Sequence, residues 1–167
     1  MNSLPYSVPD LDIDLNIGLL LLVLRYLGKT SRGKLLLNNE KLLIFMYLIK
    51  NPVVLERLLT DLGRQTVQLN DVECFSVGSI AVNLDPLFDN AWVKKLLQYA
   101  SARDYIRAHY RKDDGFMFTL SEGGTCAAGR LAGDYFGRIR QYLEKLEQVK
   151  SETNPNLNKL LNNIFRG

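Results

Sequence analysis

A mainly α (α+β) fold is predicted by three features of this 167-residue sequence. Apolar residues recur at helical spacing (i, i+3, i+4, i+7) in several segments, as in Leu42, Phe45, Met46 and Ile49. Alternating residues flank Asp113-Asp114-Gly115, the pattern of a β-hairpin whose glycine supplies a positive φ. Ser121 then stands as an N-cap before another helical stretch. Helix, strand, glycine turn, strand and capped helix, in that order, describe a winged-helix-like domain with the hairpin as its wing.

The elements follow along the chain. Residues 4–16 ("LPYSVPDLDIDLN") hold two prolines and then strict Leu-Asp-Ile-Asp-Leu alternation. That pattern reads as an extended N-terminal arm with Leu11, Ile13 and Leu15 on its apolar edge. Asn16 is placed to cap a helix running to Leu27, which Gly28 ends. This helix is apolar on nearly all sides, so it is either central in the fold or covered by a partner. A second helix opens at Asn39 and meets Pro52, which breaks or bends it. Residues 53–62 form another helix, ended by Gly63. "QTVQLND" and "ECFSVGSIAVN" are two short strands or an irregular excursion.

A helix starting near Asp89 or Asn90 buries Val93, Leu96, Leu97 and Ala100. Tyr105, Ile106, Ala108 and Tyr110 belong to the outgoing strand of the hairpin, and Phe116, Phe118 and Leu120 to the return. The helix capped by Ser121 is expected to carry Ala127, Leu131 and Tyr135 and to continue as a long amphipathic helix over residues 134–149. The domain organisation is thus an arm at 1–16, a helical winged-helix-like domain at 17–150, and a tail at 151–167. In the tail, Asn154 is a fit N-cap and Pro155 suits the first turn. Leu157, Leu160, Leu161, Ile164 and Phe165 then form one apolar stripe. So short a helix needs something to lie on. It either folds back onto its own domain or anchors in a groove of a partner.

Composition narrows the function classes. The 47% hydrophobic share supports a sizeable core, and the formal charge of +3 is too mild to name a partner by itself. Two cysteines without a CxxC pair, and one histidine, argue against a Cys/His zinc site and a disulfide scaffold, and fit a reducing cytoplasm. The apolar run at 17–24 meets Arg25 at once, too short to span a bilayer. No signal-peptide pattern opens the chain.

No catalytic arrangement assembles. GxxxxGK[ST] and GxGxxG phosphate cradles are missing. His109 reads as a surface or half-buried residue on the strand beside the wing, and Cys126 as a small packing residue near a helix start. Asp10, Asp12 and Asp14 read as the solvated edge of the arm rather than a cation site, and Asp113-Asp114-Gly115 lacks the spaced oxygen ligands of a calcium loop. The expectation is a protein that is no enzyme and carries no cofactor and no metal.

Nucleic acid is the stronger candidate. Residues 92–112 contain Lys94, Lys95, Arg103, Arg107, Arg111 and Lys112 against the single acid Asp104. In a winged helix these positions face DNA, and Lys94, Lys95, Arg107, Arg111 and Lys112 would meet phosphates. Asp113 and Asp114 at the wing tip oppose this, and few side chains are suited to read base edges, so contact would be sequence-independent.

"LPYSVPDLDID", "FMYLIKNP", "FSVGSIAVNLDPLFD" and "DGFMFTLSEGG" resemble, in order and wording, the middle component of bacterial ABC-type three-component defence systems, the group that includes Lamassu. The resemblance covers residues 4–150. It implies a non-catalytic subunit linking an SMC-like ATPase to an effector, often a nuclease, in a system that senses foreign DNA. Read from the residue pattern alone, the candidate partner-binding surfaces are Leu11, Ile13 and Leu15 in the arm and Leu157, Leu160, Leu161, Ile164 and Phe165 in the tail, which lies beyond the resemblance. The competing readings are a stand-alone winged-helix transcriptional regulator that binds an operator, and a small hydrolase using Cys126 or the Asp arm.

Overall fold

The computed structural model describes residues 12–76 and 83–167. They form eight α-helices and one two-stranded antiparallel sheet, a mainly helical fold. The central helix is α1 (Ile13–Leu27). Asp12 is its N-cap, accepting the Leu15 amide at 3.1 Å. The helix therefore begins four residues earlier than the sequence suggests, because the Asp12 carboxylate captures an amide that an extended arm would leave to water. Ile13, Asp14 and Leu15 are its first turn, and the rest of the expected arm, residues 1–11, lies outside the described residues.

Buried from Asn16 to Leu24, α1 settles its two alternatives in favour of a central place. Asn16, the polar residue in this run, is fully covered. Its amide nitrogen donates to the Asp12 carbonyl at 2.7 Å and its oxygen accepts from Lys50 Nζ. The helix touches α2 (Asn39–Lys50), α5 (Asn90–Ala102), α6 (Glu122–Arg130), α7 (Asp134–Leu146) and the sheet. Gly18 brings it close to α7, where an added Cβ would lie 3.4 Å from the Phe136 ring.

The Asn38 side chain caps α2, accepting the Lys41 amide at 3.0 Å. Pro52, at the first turn of α3 (Pro52–Asp61), has no amide to continue α2, and the two helices meet at Asn51. A short α4 (Asp71–Phe75) follows, closed by a reciprocal capping box between Asn70 and Glu73. The excursion foreseen as strand or irregular chain thus contains a helical turn here, and residues 77–82 lie outside the described residues. A 3-10 turn (Asp85–Phe88) leads into α5, which buries Val93, Leu96, Leu97 and Ala100 as its periodicity requires.

The strands β1 (Ile106–Arg111) and β2 (Gly115–Leu120) pair in the register Ile106↔Leu120 to Arg111↔Gly115. Gly115 turns the hairpin at φ +74. On its other edge, β2 meets residues 37 and 38: the Phe118 amide donates to the Leu37 carbonyl at 3.0 Å, and Asn38 bridges Met117. Ser121 caps α6, accepting the Gly124 amide. Gly124 is obligatory: a Cβ there would sit 1.8 Å from the Tyr105 carbonyl oxygen. The helix expected to run on through Leu131 and Tyr135 instead stops at Arg130. Gly133 at φ +99 turns the chain, so Leu131 is a C-cap and Tyr135 lies on α7. A 3-10 turn (Glu147–Val149) joins α7 to α8 (Asn154–Arg166), whose N-cap is Thr153 rather than Asn154.

Candidate functional site

The basic surface is built by α5 and the hairpin. Burial of Val93, Leu96, Leu97 and Ala100 turns Lys94 and Lys95 outward. Lys95 Nζ stands 5.8 Å from the centroid of the Trp92 ring, a cation–π contact. Side chains alternate along β1, so Arg107, His109 and Arg111 share one face of the hairpin. Lys112 is exposed beside the turn. Two of these cations have local partners. Arg107 lies 3.6 Å from Asp104 and Arg111 lies 3.8 Å from Asp114, both exposed pairs of small energetic weight. Arg103 bonds Asp14 at 2.8 Å, tying α5 to the first turn of α1 and holding the Arg103 guanidinium firmly protonated. The other hairpin face carries Tyr110 and Phe116, both exposed, with ring centroids 5.5 Å apart and edge to face.

The candidate reactive residues are dispersed. His109 Nε2 lies 3.0 Å from the Thr119 hydroxyl. Cys126 is exposed rather than packed, because the buried side of α6 is given to Gly124 and Ala128. Asp12 is spent on the α1 cap and Asp14 on Arg103. Asp10 is outside the described residues. Among the described residues no group of three His, Cys, Asp or Glu could hold a metal ion, and no helix is long and apolar enough to cross a membrane.

One polar cluster was not visible in the sequence. Arg138 on α7 donates to both Glu73 carboxylate oxygens at 2.6 Å, and to the Gln68 carbonyl at 2.7 Å. The Tyr142 hydroxyl donates to the same carboxylate, and the Arg138 guanidinium stacks 5.0 Å from the Tyr142 ring. Held by the Arg138 bonds first, with Tyr142 and the Asn70 amide adding to them, Glu73 drops to a pKa of about 2. Burial, reinforced by Glu73, raises the Tyr142 phenol. Sixty-five positions separate Glu73 from Arg138. The local signal was only the Asn70-x-x-Glu73 capping box. Two further buried ionisable groups lie on α2: burial lowers the Lys41 ammonium and pushes the Tyr47 phenol up to about 12.

The apolar stripe of α8 lies against α3 and α2. Leu157 and Leu161 are fully buried there, while Leu160, Ile164 and Phe165 are half-buried at its margin. Phe165 packs edge to face on Tyr47 at 6.3 Å. Asn154 and Asn158 donate to the Glu40 carboxylate at 2.9 and 2.7 Å, fixing the helix over the start of α2. Ile13 and Leu15 are half-buried at the start of α1, and Leu11 is outside the described residues. The most exposed large apolar side chains are elsewhere: Val72, Phe75 and Phe88 are 78%, 76% and 75% exposed. Nothing in their spacing announced this.

A family model described as "ABC-three component (ABC-3C) system Middle Component 4" matches residues 27–159. The resemblance read from the sequence covers residues 4–150; the match starts later and runs into α8. No curated protein matches the chain, and no solved structure does.

Proposed function

The chain belongs to the ABC-three component system middle component 4 family, and from that premise we propose that it is a non-catalytic adaptor. It links an SMC-like ATPase to an effector nuclease in a cytoplasmic complex that defends against phage and plasmid. Family membership carries the reading, since a middle component works with the other subunits of its system. The exposed Val72, Phe75 and Phe88 support it, because each strands apolar surface in water that a partner would cover.

Winged-helix architecture and DNA contact form the second part of the proposal. The segment 37–38 follows a helix and lies beside β2, which lies beside β1. That order supports a winged-helix sheet, with α5 and the hairpin as its DNA-facing parts. Lys94, Lys95, Arg107, Arg111 and Lys112 would meet backbone phosphates without reading sequence. A stand-alone regulator remains the competitor, and it requires tight binding to one operator.

Co-expression with the products of the adjacent genes tests the adaptor reading. A complex that survives size-exclusion chromatography is expected, weakened by Phe75→Ser or Phe88→Ser without loss of the subunit's own melting temperature. A wild-type subunit that elutes alone in the presence of both products overturns the reading.

A further inference from the structure

A second cationic feature stands apart from the α5 surface. A pocket of about 380 Å³ opens between the end of α1, the end of β2 and the turn after α7. Arg25, Lys29 and Lys150 line it, with Glu147 as the carboxylate on its wall and Thr119 contributing a hydroxyl. Among the described residues, no ion pair within 4 Å neutralises any of the three cations. Their convergence on one concavity leaves a net positive site that the single carboxylate of Glu147 balances only in part.

We infer that this pocket binds a phosphate group, carried by a nucleic-acid backbone or by a small phosphate ester. Three cations of two kinds suit a multiply charged oxyanion: the Arg25 guanidinium can give two parallel hydrogen bonds, and the lysines act as point charges. Thr119 supplies a directional donor. Its side chain is 8% exposed, and its hydroxyl already lies 3.0 Å from His109 Nε2. When that hydroxyl gives its proton to a phosphate oxygen, it accepts from the Nε2–H of His109, so both groups stay satisfied.

The negative end of α1 points the wrong way for an anion, but the Leu24 and Gly28 carbonyls there are engaged. The Gly28 amide bonds the Leu24 carbonyl at 3.1 Å, and the Leu36 amide bonds the Gly28 carbonyl at 3.0 Å. The volume exceeds what inorganic phosphate needs and admits an attached sugar. Thr119 also sits opposite Arg107 in the hairpin register, on the face that carries His109 and Arg111. Thr119 thus belongs both to the pocket lining and to that face, and a phosphate chain could pass from one to the other. The inference does not depend on the adaptor reading, because it concerns the isolated subunit.

The experiment measures binding of inorganic pyrophosphate by calorimetry, and of a short random-sequence duplex across a salt series. The proteins are wild type, Lys29→Glu/Lys150→Glu and Thr119→Val, with melting curves as the folding control. Each lost contact should weaken pyrophosphate roughly tenfold, the worth of one charge-assisted hydrogen bond. For duplex, the double reversal should lower the salt slope by about two. A loss confined to duplex assigns the site to a nucleic-acid backbone, and a loss confined to pyrophosphate assigns it to a small phosphate ester. If the reversed protein melts early, Lys29→Gln/Lys150→Gln replaces it. Wild-type protein that binds neither probe, or folded variants that bind both as well as wild type, overturn the inference.

Discussion

Arg138 grips both carboxylate oxygens of Glu73, and in doing so pins α4 and the chain around Gln68 to the outer side of α7. Each partner is mostly shielded, with 12% of the Glu73 side chain and 27% of the Arg138 side chain exposed. The contact is therefore worth more than an exposed pair. Its depressed pKa of about 2 makes it a source of acid sensitivity. Glu73 binds its proton more weakly folded than unfolded, so its stabilisation is complete above the ordinary glutamate range near pH 4.5. It is lost as the pH falls from there toward 2. Glu73→Gln should lower stability at neutral pH by about 2 kcal/mol and flatten the acid limb of stability against pH. Denaturant titrations between pH 2 and 7 measure this, and an unchanged acid limb would show that the latch contributes nothing.

Two glycines should respond in opposite directions to alanine. At Gly124 the new methyl meets the Tyr105 carbonyl, so the hairpin and α6 must separate at a cost of about 3 kcal/mol. At Gly137, inside α7, an added Cβ finds no atom within 4 Å. There the substitution should stabilise by about 0.5–1 kcal/mol through helix propensity and a less free unfolded chain. Thermal melts of the two single variants decide both.

Loss of α8 should destabilise the isolated subunit. Deleting the residues after Ser151 uncovers the surface under Leu157 and Leu161 and removes both asparagine bonds to Glu40. Leu157→Ala alone should cost about 2–4 kcal/mol. A truncated protein that melts at the wild-type temperature would mean that the helix is docked too weakly to matter.

Charge reversal on α5 probes the DNA contact. Lys94→Glu/Lys95→Glu should weaken duplex binding and reduce its salt slope by about two, whatever the duplex sequence. Salt-insensitive binding to one sequence would instead favour an operator-binding regulator.

The sequence carries most of the helices through periodicity and the hairpin through its Asp-Asp-Gly turn, but not α4, which lies where a strand or irregular chain is expected. Helix ends were read less well, for a local reason: neighbouring residues can compete for one cap. Asp12 took the role expected of Asn16, and Thr153 that of Asn154. Gly133 could be seen in the sequence, but its positive φ could not, so α6 and α7 were read as one continuous helix. The basic residues of the candidate surface can be grouped from the sequence because they are close in it. The cationic pocket is hidden from it, because Arg25, Thr119 and Lys150 meet only through the fold. The same holds for the Glu73 latch.

Asn38 accepts from the Lys41 amide and from Asn154, and bridges Met117. Two distant stretches of chain thus close on one residue, which has a temporal consequence. During synthesis α2 emerges early, yet the groups that complete its N-terminal end come much later. Until residue 154 has left the ribosome, this junction stays unfinished. Contacts so far apart in sequence also slow closure of the native state. Partner surfaces that depend on the placement of α2 and the hairpin would then form only after α8 has emerged, which would delay assembly until that point.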